Sequence, residues 1–288
     1  MKTQTFGIEI EMNRITRANA AQVLADHFGS QVRHIGGTYD TRLVADDQGR
    51  DWKIVSDNSI EGPQEERTEF VSPICRWEDI ETVQELVRKL RAAGGRPHTS
   101  CGIHVHIGRG QHTPRTLRNL VNQVNAKEDL LTQALGISPE RRARWCLPVD
   151  QTFLTALNRT KPTTDAAFAE LWYDDDDWRY RASMHYDRSR YHLLNLHSTF
   201  QKGTIEFRAF QASLHAGEIK AYIQLAMAIS HQALKSSAAS ARRPQTDNPK
   251  YTFRCWLLRL GFIGDEFKTA REHLTKRLPG NAAWRQAG

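Results

Sequence analysis

The chain has 288 residues, of which 39% are hydrophobic and 25% are charged, a composition typical of a globular protein. No stretch approaches the roughly 18 consecutive apolar residues that span a bilayer, and residues 1–6 lack the apolar run of a secretory signal. The four cysteines are dispersed without a Cys-x-x-Cys pair, which favours reduced thiols and a cytoplasmic location. The net charge of +7 favours an anionic partner but does not choose among nucleotide, nucleic acid and acidic substrate.

Hydrophobic periodicity predicts strands and helices mixed along the chain. Strands are predicted at residues 5–12, 52–56, 69–72, 101–107, 191–198 and 203–210, and residues 36–50 are polar and rich in turn formers. Helices are predicted at residues 16–28, 77–93, 113–131 and 215–234, with Gly29 ending the first and Thr113-Pro114 opening the third. Because several strands are polar on one face, the pattern indicates an α+β fold with a mainly antiparallel sheet that opens one face to a site.

Four of these strands carry ionisable residues on a single face. The residues are Glu9 and Glu11, Glu69, His104 and His106, and Glu206 and Arg208. Side chains at i and i+2 of a strand share a face, so each pair projects towards the same region. One acid pair alone would fit the solvent face of an amphipathic sheet, whereas four such strands favour a functional site.

The residue types of this set indicate the chemistry. Carboxylates with one or two imidazoles favour Mg²⁺ or Mn²⁺ over Zn²⁺. Such ions serve phosphoryl groups by neutralising their charge, and an arginine two residues from a metal acid can hold phosphate with two hydrogen bonds. The expected reaction is therefore nucleotide-dependent.

Six blocks in this order give the chain a family resemblance. They are FGIEIE at 6–11, Trp52 followed by DNSI at 57–60, EFVSPI at 69–74, CGIHVH at 101–106, Arg190-Tyr191 with Asn195-Leu196, and GTIEFR at 203–208. The sequence resembles the amidoligase family of the carboxylate–amine ligase superfamily, whose fold is that of glutamine synthetase and glutamate–cysteine ligase. The resemblance covers roughly residues 5–235.

The resemblance implies a role for each matched residue. Metal ligands would be Glu9, Glu11, Glu69, His104 and Glu206. Nucleotide or phosphate contacts would be His106, Arg208, Arg190, Asn195 and Ser59, and the catalytic residues would be Arg208, Arg190 and Asp57. Asp57-Asn58-Ser59 stands where the family has Asp-Gly-Ser, and Glu61 is a weaker candidate for a further metal acid.

The resemblance also implies a fold, an organisation and a mechanism. The sheet would be curved, of the glutamine-synthetase catalytic type and flanked by helices. Residues 1–235 would form the catalytic domain with a helical insertion at 113–180. Beyond the resemblance, composition predicts a linker at 236–250, and apolar residues predict a small helical segment at 251–288. ATP with Mg²⁺ or Mn²⁺ would activate a carboxylate as an acyl phosphate for attack by an amine, free or on a peptide or protein. Residues 57–68 and 138–180 are the expected cover and amine-recognition segments.

Two alternatives remain open at this point. His98, Cys101, His104 and His106 offer nitrogen and sulfur ligands for zinc, in a hydrolase or nuclease, although strand alternation places Cys101 opposite the last two. A basic nucleic-acid-binding protein would explain the net charge but neither the acid pairs nor the two histidines, because clustered carboxylates repel phosphate. The oligomeric state is not indicated.

Overall fold

The computed structural model describes residues 1–284, which form eight strands and eleven α-helices and confirm the predicted mixture of both. The chain divides into two compact units. The N-terminal unit comprises Lys2–Val105 and Phe210–Ile223, and the C-terminal unit comprises His106–Ala209 and Gln224–Gly288 together with Met1. Among the described residues, no helix is both long and apolar enough to cross a membrane.

The N-terminal unit is built on a sheet. Its strands are β1 (Phe6–Met12), β2 (Val32–Gly36), β3 (Thr41–Ala45), β4 (Asp51–Val55), β5 (Thr68–Val71) and the first four residues of β6 (Gly102–Gly108). Their order is β2-β3-β4-β5-β1-β6. The pairs β2/β3, β3/β4, β4/β5 and β5/β1 are antiparallel, so the antiparallel pairing predicted for the sheet is confirmed in this unit.

The β2–β3 hairpin differs from the prediction, which gave no strand between the first helix and residue 36 and only turn formers at 36–50. Three of the five residues of β2 are exposed, and most of β3 is half-buried. Such strands lack the alternation of apolar and polar residues by which strands are recognised. Backbone pairing at the edge of the sheet forms this hairpin without a hydrophobic signature.

Two helices flank the sheet of this unit. Helix α1 (Arg17–Phe28) begins at Thr16, whose side chain accepts a hydrogen bond from the Asn19 amide, and ends at Gly29 with a left-handed φ of 61°. Helix α2 (Ile80–Ala92) buries Val83, Leu86, Val87 and Leu90. A Cβ on Gly95 would lie 3.2 Å from Met12 Sδ, so the end of α2 lies on the Met12 side of the strand. Strand alternation therefore places Glu9 and Glu11 on the opposite side of the sheet.

The C-terminal unit is mainly helical. Its helices are α3 (Pro114–Leu135), α4 (Pro139–Arg144), α5 (Gln151–Thr160), α6 (Asp165–Tyr173), α7 (Trp178–Ser183), α8 (His197–Gln201), most of α9 (Ala216–Lys235), α10 (Pro249–Arg259) and α11 (Lys268–Thr275). Strand β7 (Leu194–Asn195) pairs antiparallel with β8 (Thr204–Gln211). The end of β6 lies beside β8 in this unit, where the Arg109 amide donates to the Gly203 carbonyl.

The strand predicted at 191–198 is wrong in its extent. Only Leu194 and Asn195 are in β7, and helix α8 begins at His197. The Asn195 side chain explains the early end, because its Oδ1 accepts a hydrogen bond from the Ser198 amide. A local bond from asparagine to the following backbone competes with continuation of a strand.

The segment predicted as a linker, residues 236–250, carries no helix or strand before α10 begins at Pro249. It is nevertheless fastened along α3 by three asparagines spaced three residues apart. Their Nδ2 atoms donate to carbonyl oxygens of the segment: Asn119 to Ser236, Asn122 to Ala239 and Asn125 to Ala241. The C-terminal segment predicted at 251–288 contains most of α10 and all of α11, and its last four residues lie outside the described residues.

Candidate active site

The antiparallel register of β1 and β5 places two acids side by side. Glu11 is directly opposite Glu69, and both residues are buried, with 5% and 9% of their surface exposed. Two adjacent carboxylates out of water repel each other unless cations or hydrogen-bond donors compensate their charge. A cation bound beside Glu11 and Glu69 would therefore stabilise the folded state.

His104 on β6 lies between the carboxylates of β1. Its Nδ1 is 3.0 Å from Glu9 Oε2, and its Nε2 is 3.9 Å from Glu11 Oε1. The Gly102 amide also donates to Glu11 Oε2 at 2.7 Å. These contacts fix the orientation of the imidazole and of Glu11, as expected for groups that hold a ligand in a defined geometry.

Glu11, Glu69 and His104 could hold a metal ion together. Each offers one ligand atom, and the three atoms lie within 4.8 Å of one another. The residues fit a divalent cation, because two buried carboxylates and one imidazole leave negative charge to be compensated, and an oxygen-rich set suits Mg²⁺ or Mn²⁺. In the described part of the chain, neither His98 nor Cys101 belongs to such a group. The four-residue zinc site considered from the sequence is therefore not assembled.

In the C-terminal unit, Glu206 on β8 receives two hydrogen bonds. Its Oε2 accepts from Asn195 Nδ2 and its Oε1 accepts from Arg208 Nη1, both at 2.6 Å. Only 3% of Glu206 and 6% of Arg208 is exposed. Burial strengthens these charge-assisted bonds. The structure therefore brings together Glu206, Arg208 and Asn195, as the sequence predicts.

Arg190 and Arg208 contact the same aromatic ring. Their guanidinium carbons lie 5.7 Å and 5.9 Å from the ring centroid of Tyr191, within the range of cation–π attraction. Arg190 Nη1 also donates to the His185 carbonyl at 2.9 Å. Tyr191 therefore fixes the two predicted phosphate-binding arginines relative to each other.

A partly buried ion pair supports the turn that carries Arg190. Arg181 binds both carboxylate oxygens of Asp187, at 2.9 Å and 3.0 Å, and Asp187 Oδ1 accepts from the Ser189 amide. Burial alone would raise the pKa of Asp187, but the hydrogen bonds from Arg181 and Ser189 outweigh it and hold the pKa below its ordinary value. The ionised carboxylate thus anchors the short 3₁₀ turn Arg188–Arg190.

The other predicted residues have local partners. His106 Nδ1 is 3.1 Å from Thr204 Oγ1, which ties β6 to β8 within the C-terminal unit. Asp57 Oδ1 accepts from the Ser59 amide within its own loop, and neither residue contacts the Glu11–Glu69–His104 group. Glu61 is exposed and lies outside that group, so its weaker assignment as a metal acid has no geometric support.

Sequence reasoning missed two supporting features of the site, the ring of Tyr191 and the Arg181–Asp187 pair. Tyr191 follows Arg190 directly, but its contact with Arg208 depends on the fold. Arg181 and Asp187 are six residues apart, a spacing that indicates no pairing on a helix. Only the adjacency of an aromatic residue and an arginine could have drawn attention to Tyr191.

Comparison with known families supports the resemblance found in the sequence. No curated protein matches the chain. The profile of a family described as a putative amidoligase enzyme matches residues 2–230, which is most of the chain. The match includes every residue that the sequence analysis assigned to the site. The chain therefore belongs to this amidoligase family.

Proposed function

We propose that this protein is an ATP-dependent ligase that joins a carboxylate to an amine through an acyl phosphate. Membership of an amidoligase family supports the ligase class. One observation supports ATP dependence and the acyl phosphate. Glu11, Glu69 and His104, on three strands, have ligand atoms within 4.8 Å of one another. Such a group is expected of an enzyme that handles phosphoryl groups with a divalent ion.

Glu11, Glu69 and His104 would hold Mg²⁺ or Mn²⁺, with Glu9 orienting the imidazole or acting as a ligand itself. Glu206 is proposed as a further metal acid because it is buried and ionisable. When bound, such ions would supply positive charge that offsets the negative charge developing during phosphoryl transfer. The contribution of the chain is to hold these side chains in fixed positions.

The two arginines are proposed to bind the phosphates of ATP and of the acyl phosphate. Arg208 is oriented by Glu206 and Tyr191, and Arg190 by the His185 carbonyl and Tyr191. A preoriented guanidinium stabilises charge without reorganising during the reaction. His106, Asn195 and Ser59 are proposed as nucleotide contacts and Asp57 as a catalytic residue, on the family resemblance alone.

The proposal extends to fold type, substrates and location. The antiparallel sheet and the order of the six sequence blocks support a glutamine-synthetase type of catalytic sheet, with residues 1–235 as its domain. The substrates are a carboxylate and an amine, either of which can belong to a peptide or protein. All four cysteines lie in the described residues and none of them forms a disulfide there, which supports a cytoplasmic location.

Thermal stability with a non-hydrolysable ATP analogue tests the proposal. At 100 times its dissociation constant, a ligand stabilises the folded state by about 2.7 kcal/mol, which raises the melting temperature of a chain of this size by roughly 5 °C. We expect this rise only when Mg²⁺ or Mn²⁺ is present. It should disappear in Glu11→Gln and in Arg208→Ala.

Matched controls are available in each unit. Glu65 and Arg159 are exposed and have no ion pair in the described part of the chain, so Glu65→Gln and Arg159→Ala should respond like the wild type. The same proteins should then be assayed for amide formation coupled to ATP cleavage. A wild type that shows no shift at saturating nucleotide and metal would refute ATP dependence.

A further inference from the structure

A second concave site lies in the N-terminal unit, at the end of α2. It is a cavity of about 540 Å³, and its lining includes Arg88, Arg91 and Arg96 on one side and Leu214 and His215 on the other. A volume of this size is typical of small-molecule sites. No acidic side chain is among the described residues that line it, so the cavity carries a local charge of three arginines without compensation.

Arg88 and Arg91 lie on the face of α2 that packs against the start of α9. Gln84 occupies the same face of α2 as Arg88 and Arg91, at i, i+4 and i+7. Gln84 Nε2 donates to the Ala216 carbonyl at 2.8 Å. This bond holds α2 against the first turn of α9, so the two guanidinium groups project along the same cleft.

Two of the arginines have no ion pair in the described part of the chain. Arg88 and Arg91 are exposed and neither takes part in a salt bridge or side-chain hydrogen bond. They are three residues apart on one helix, where like charges destabilise the helix. An anion between them would remove this repulsion, and arginine forks bind phosphate with two hydrogen bonds each.

Arg96 favours an anion in the cavity because it pairs with the carbonyl groups at the end of α2. Its Nη1 donates to the carbonyls of Arg91 and Gly95, at 2.9 Å and 2.7 Å. The carbonyls at the end of a helix carry partial negative charge, which would repel an anion. Arg96 covers them. Leu214, which lines the cavity, lies close to Gly95, where a Cβ would be 3.3 Å from Leu214 Cδ1.

We propose that this cavity binds a small ligand carrying at least two phosphate groups, held by Arg88 and Arg91 and supported by Arg96. Two unpaired guanidinium forks on one helix face account for two phosphate groups. The apolar floor formed with Leu214 leaves room for an uncharged part of the ligand. The first turn of α9 adds the positive end of a helix dipole. This site is distinct from the group formed by Glu11, Glu69 and His104, which lies across the sheet, and it does not depend on ligase activity.

Calorimetric titration with inorganic tripolyphosphate tests the proposal. The buffer should contain EDTA and little salt, so that binding through a metal ion is excluded and screening is weak. We expect the wild type to bind this probe. Arg88→Ala/Arg91→Ala should bind about tenfold more weakly or worse, because bonds to charged groups are lost. Both arginines are exposed, so the double variant should fold, and its melting temperature without ligand should not fall.

The matched control is Lys53→Ala/Lys268→Ala, which removes two exposed positive charges outside the cavity. Equal weakening in this control would show that net charge, not the cavity, attracts the probe, and would overturn the proposal. No binding by the wild type, or unchanged binding in Arg88→Ala/Arg91→Ala, would also overturn it. Tighter binding of citrate would reject phosphate as the ligand chemistry, and binding of a single-stranded 20-nucleotide DNA but not of tripolyphosphate would reject a small ligand.

Discussion

The aromatic ring of Tyr191 lies against the guanidinium group of Arg208, with 5.9 Å between the ring centroid and the guanidinium carbon. The same ring is 5.7 Å from the guanidinium carbon of Arg190. Tyr191 is only partly buried, and its ring contacts Trp145 edge-on. One side chain that does not itself bind phosphate thus positions two that are proposed to do so.

Replacing this ring should weaken nucleotide binding without removing either arginine. A cation–π contact is worth about 1 kcal/mol, so Tyr191→Leu should weaken binding of a non-hydrolysable ATP analogue by about fivefold. Tyr191→Phe keeps the ring and should bind like the wild type. Calorimetry on the three proteins measures the difference. Equal affinities of the leucine and phenylalanine variants would show that Tyr191 has no positioning role.

The acid pair on β1 and β5 should lower the stability of the fold when no metal is bound, although the proposed metal site requires it. Without metal, Glu11 and Glu69 lie side by side in a buried position. Glu11→Gln removes one charge and keeps a group that can still accept the bond from the Gly102 amide. We therefore expect a melting temperature in EDTA equal to or above that of the wild type.

The same variant should lose the response to metal. Addition of Mn²⁺ should raise the melting temperature of the wild type but leave that of Glu11→Gln unchanged, since one of three ligands no longer carries charge. Glu65→Gln serves as the control for removal of an exposed acid. A clear loss of stability of Glu11→Gln in EDTA would indicate that Glu11 holds the sheet together rather than being held ready for a cation.

How much the sequence predicts depends on whether a residue acts through local periodicity or through distant contacts. The apolar residues of β1 and α2 have regular spacing, and both elements lie where predicted. The acids and histidines follow because strand alternation alone assigns them a common face. Asn195 lies beside Glu206, a contact that the spacing of apolar residues does not report, and its bond to the Ser198 amide limits β7 to two residues.

The asparagines of α3 show why some features escape prediction. On a helix, Asn119, Asn122 and Asn125 look like polar residues that face solvent, yet 4% or less of each is exposed. Their partners are backbone carbonyls more than 110 residues away. Nothing in the spacing of apolar residues reports a partner that is itself an irregular segment. The composition of residues 236–250 correctly indicates irregular backbone but not its attachment.

That attachment makes a further prediction. Asn122 Nδ2 donates to both Asn158 Oδ1 and the Ala239 carbonyl, at 2.9 Å each. Asn122→Ala removes two hydrogen bonds to partly buried acceptors, each worth about 1 kcal/mol, and should lower the free energy of unfolding by about 2 kcal/mol. It should also release the segment, so trypsin should cleave after Arg242 faster than in the wild type. Asn58→Ala, at an exposed position, is the control. Unchanged cleavage would show that Arg243, which binds Glu128 and Asp129, holds the segment by itself.

His112 should make stability depend on pH. Its imidazole is 4% exposed and contacts two hydroxyls, with Nε2 2.9 Å from Ser230 Oγ and Nδ1 3.1 Å from Thr116 Oγ1. Burial, with a smaller effect of Arg109, lowers the pKa of His112 to about 4. The unfolded chain has an ordinary histidine pKa of about 6.5.

Between these two pKa values the unfolded state binds a proton that the folded state does not. The contribution of His112 to stability is therefore complete above about pH 6.5 and is lost progressively as the pH falls towards 4, by about 3 kcal/mol in all. His112→Gln cannot take up that proton. Urea unfolding of both proteins at pH 7.5 and pH 4.5 measures the free energy of unfolding. Between pH 7.5 and pH 4.5 this free energy should fall more in the wild type than in His112→Gln. A stability difference that is the same at both pH values would show that His112 is protonated in the folded state, with a charge that the Ser230 and Thr116 hydroxyls accommodate.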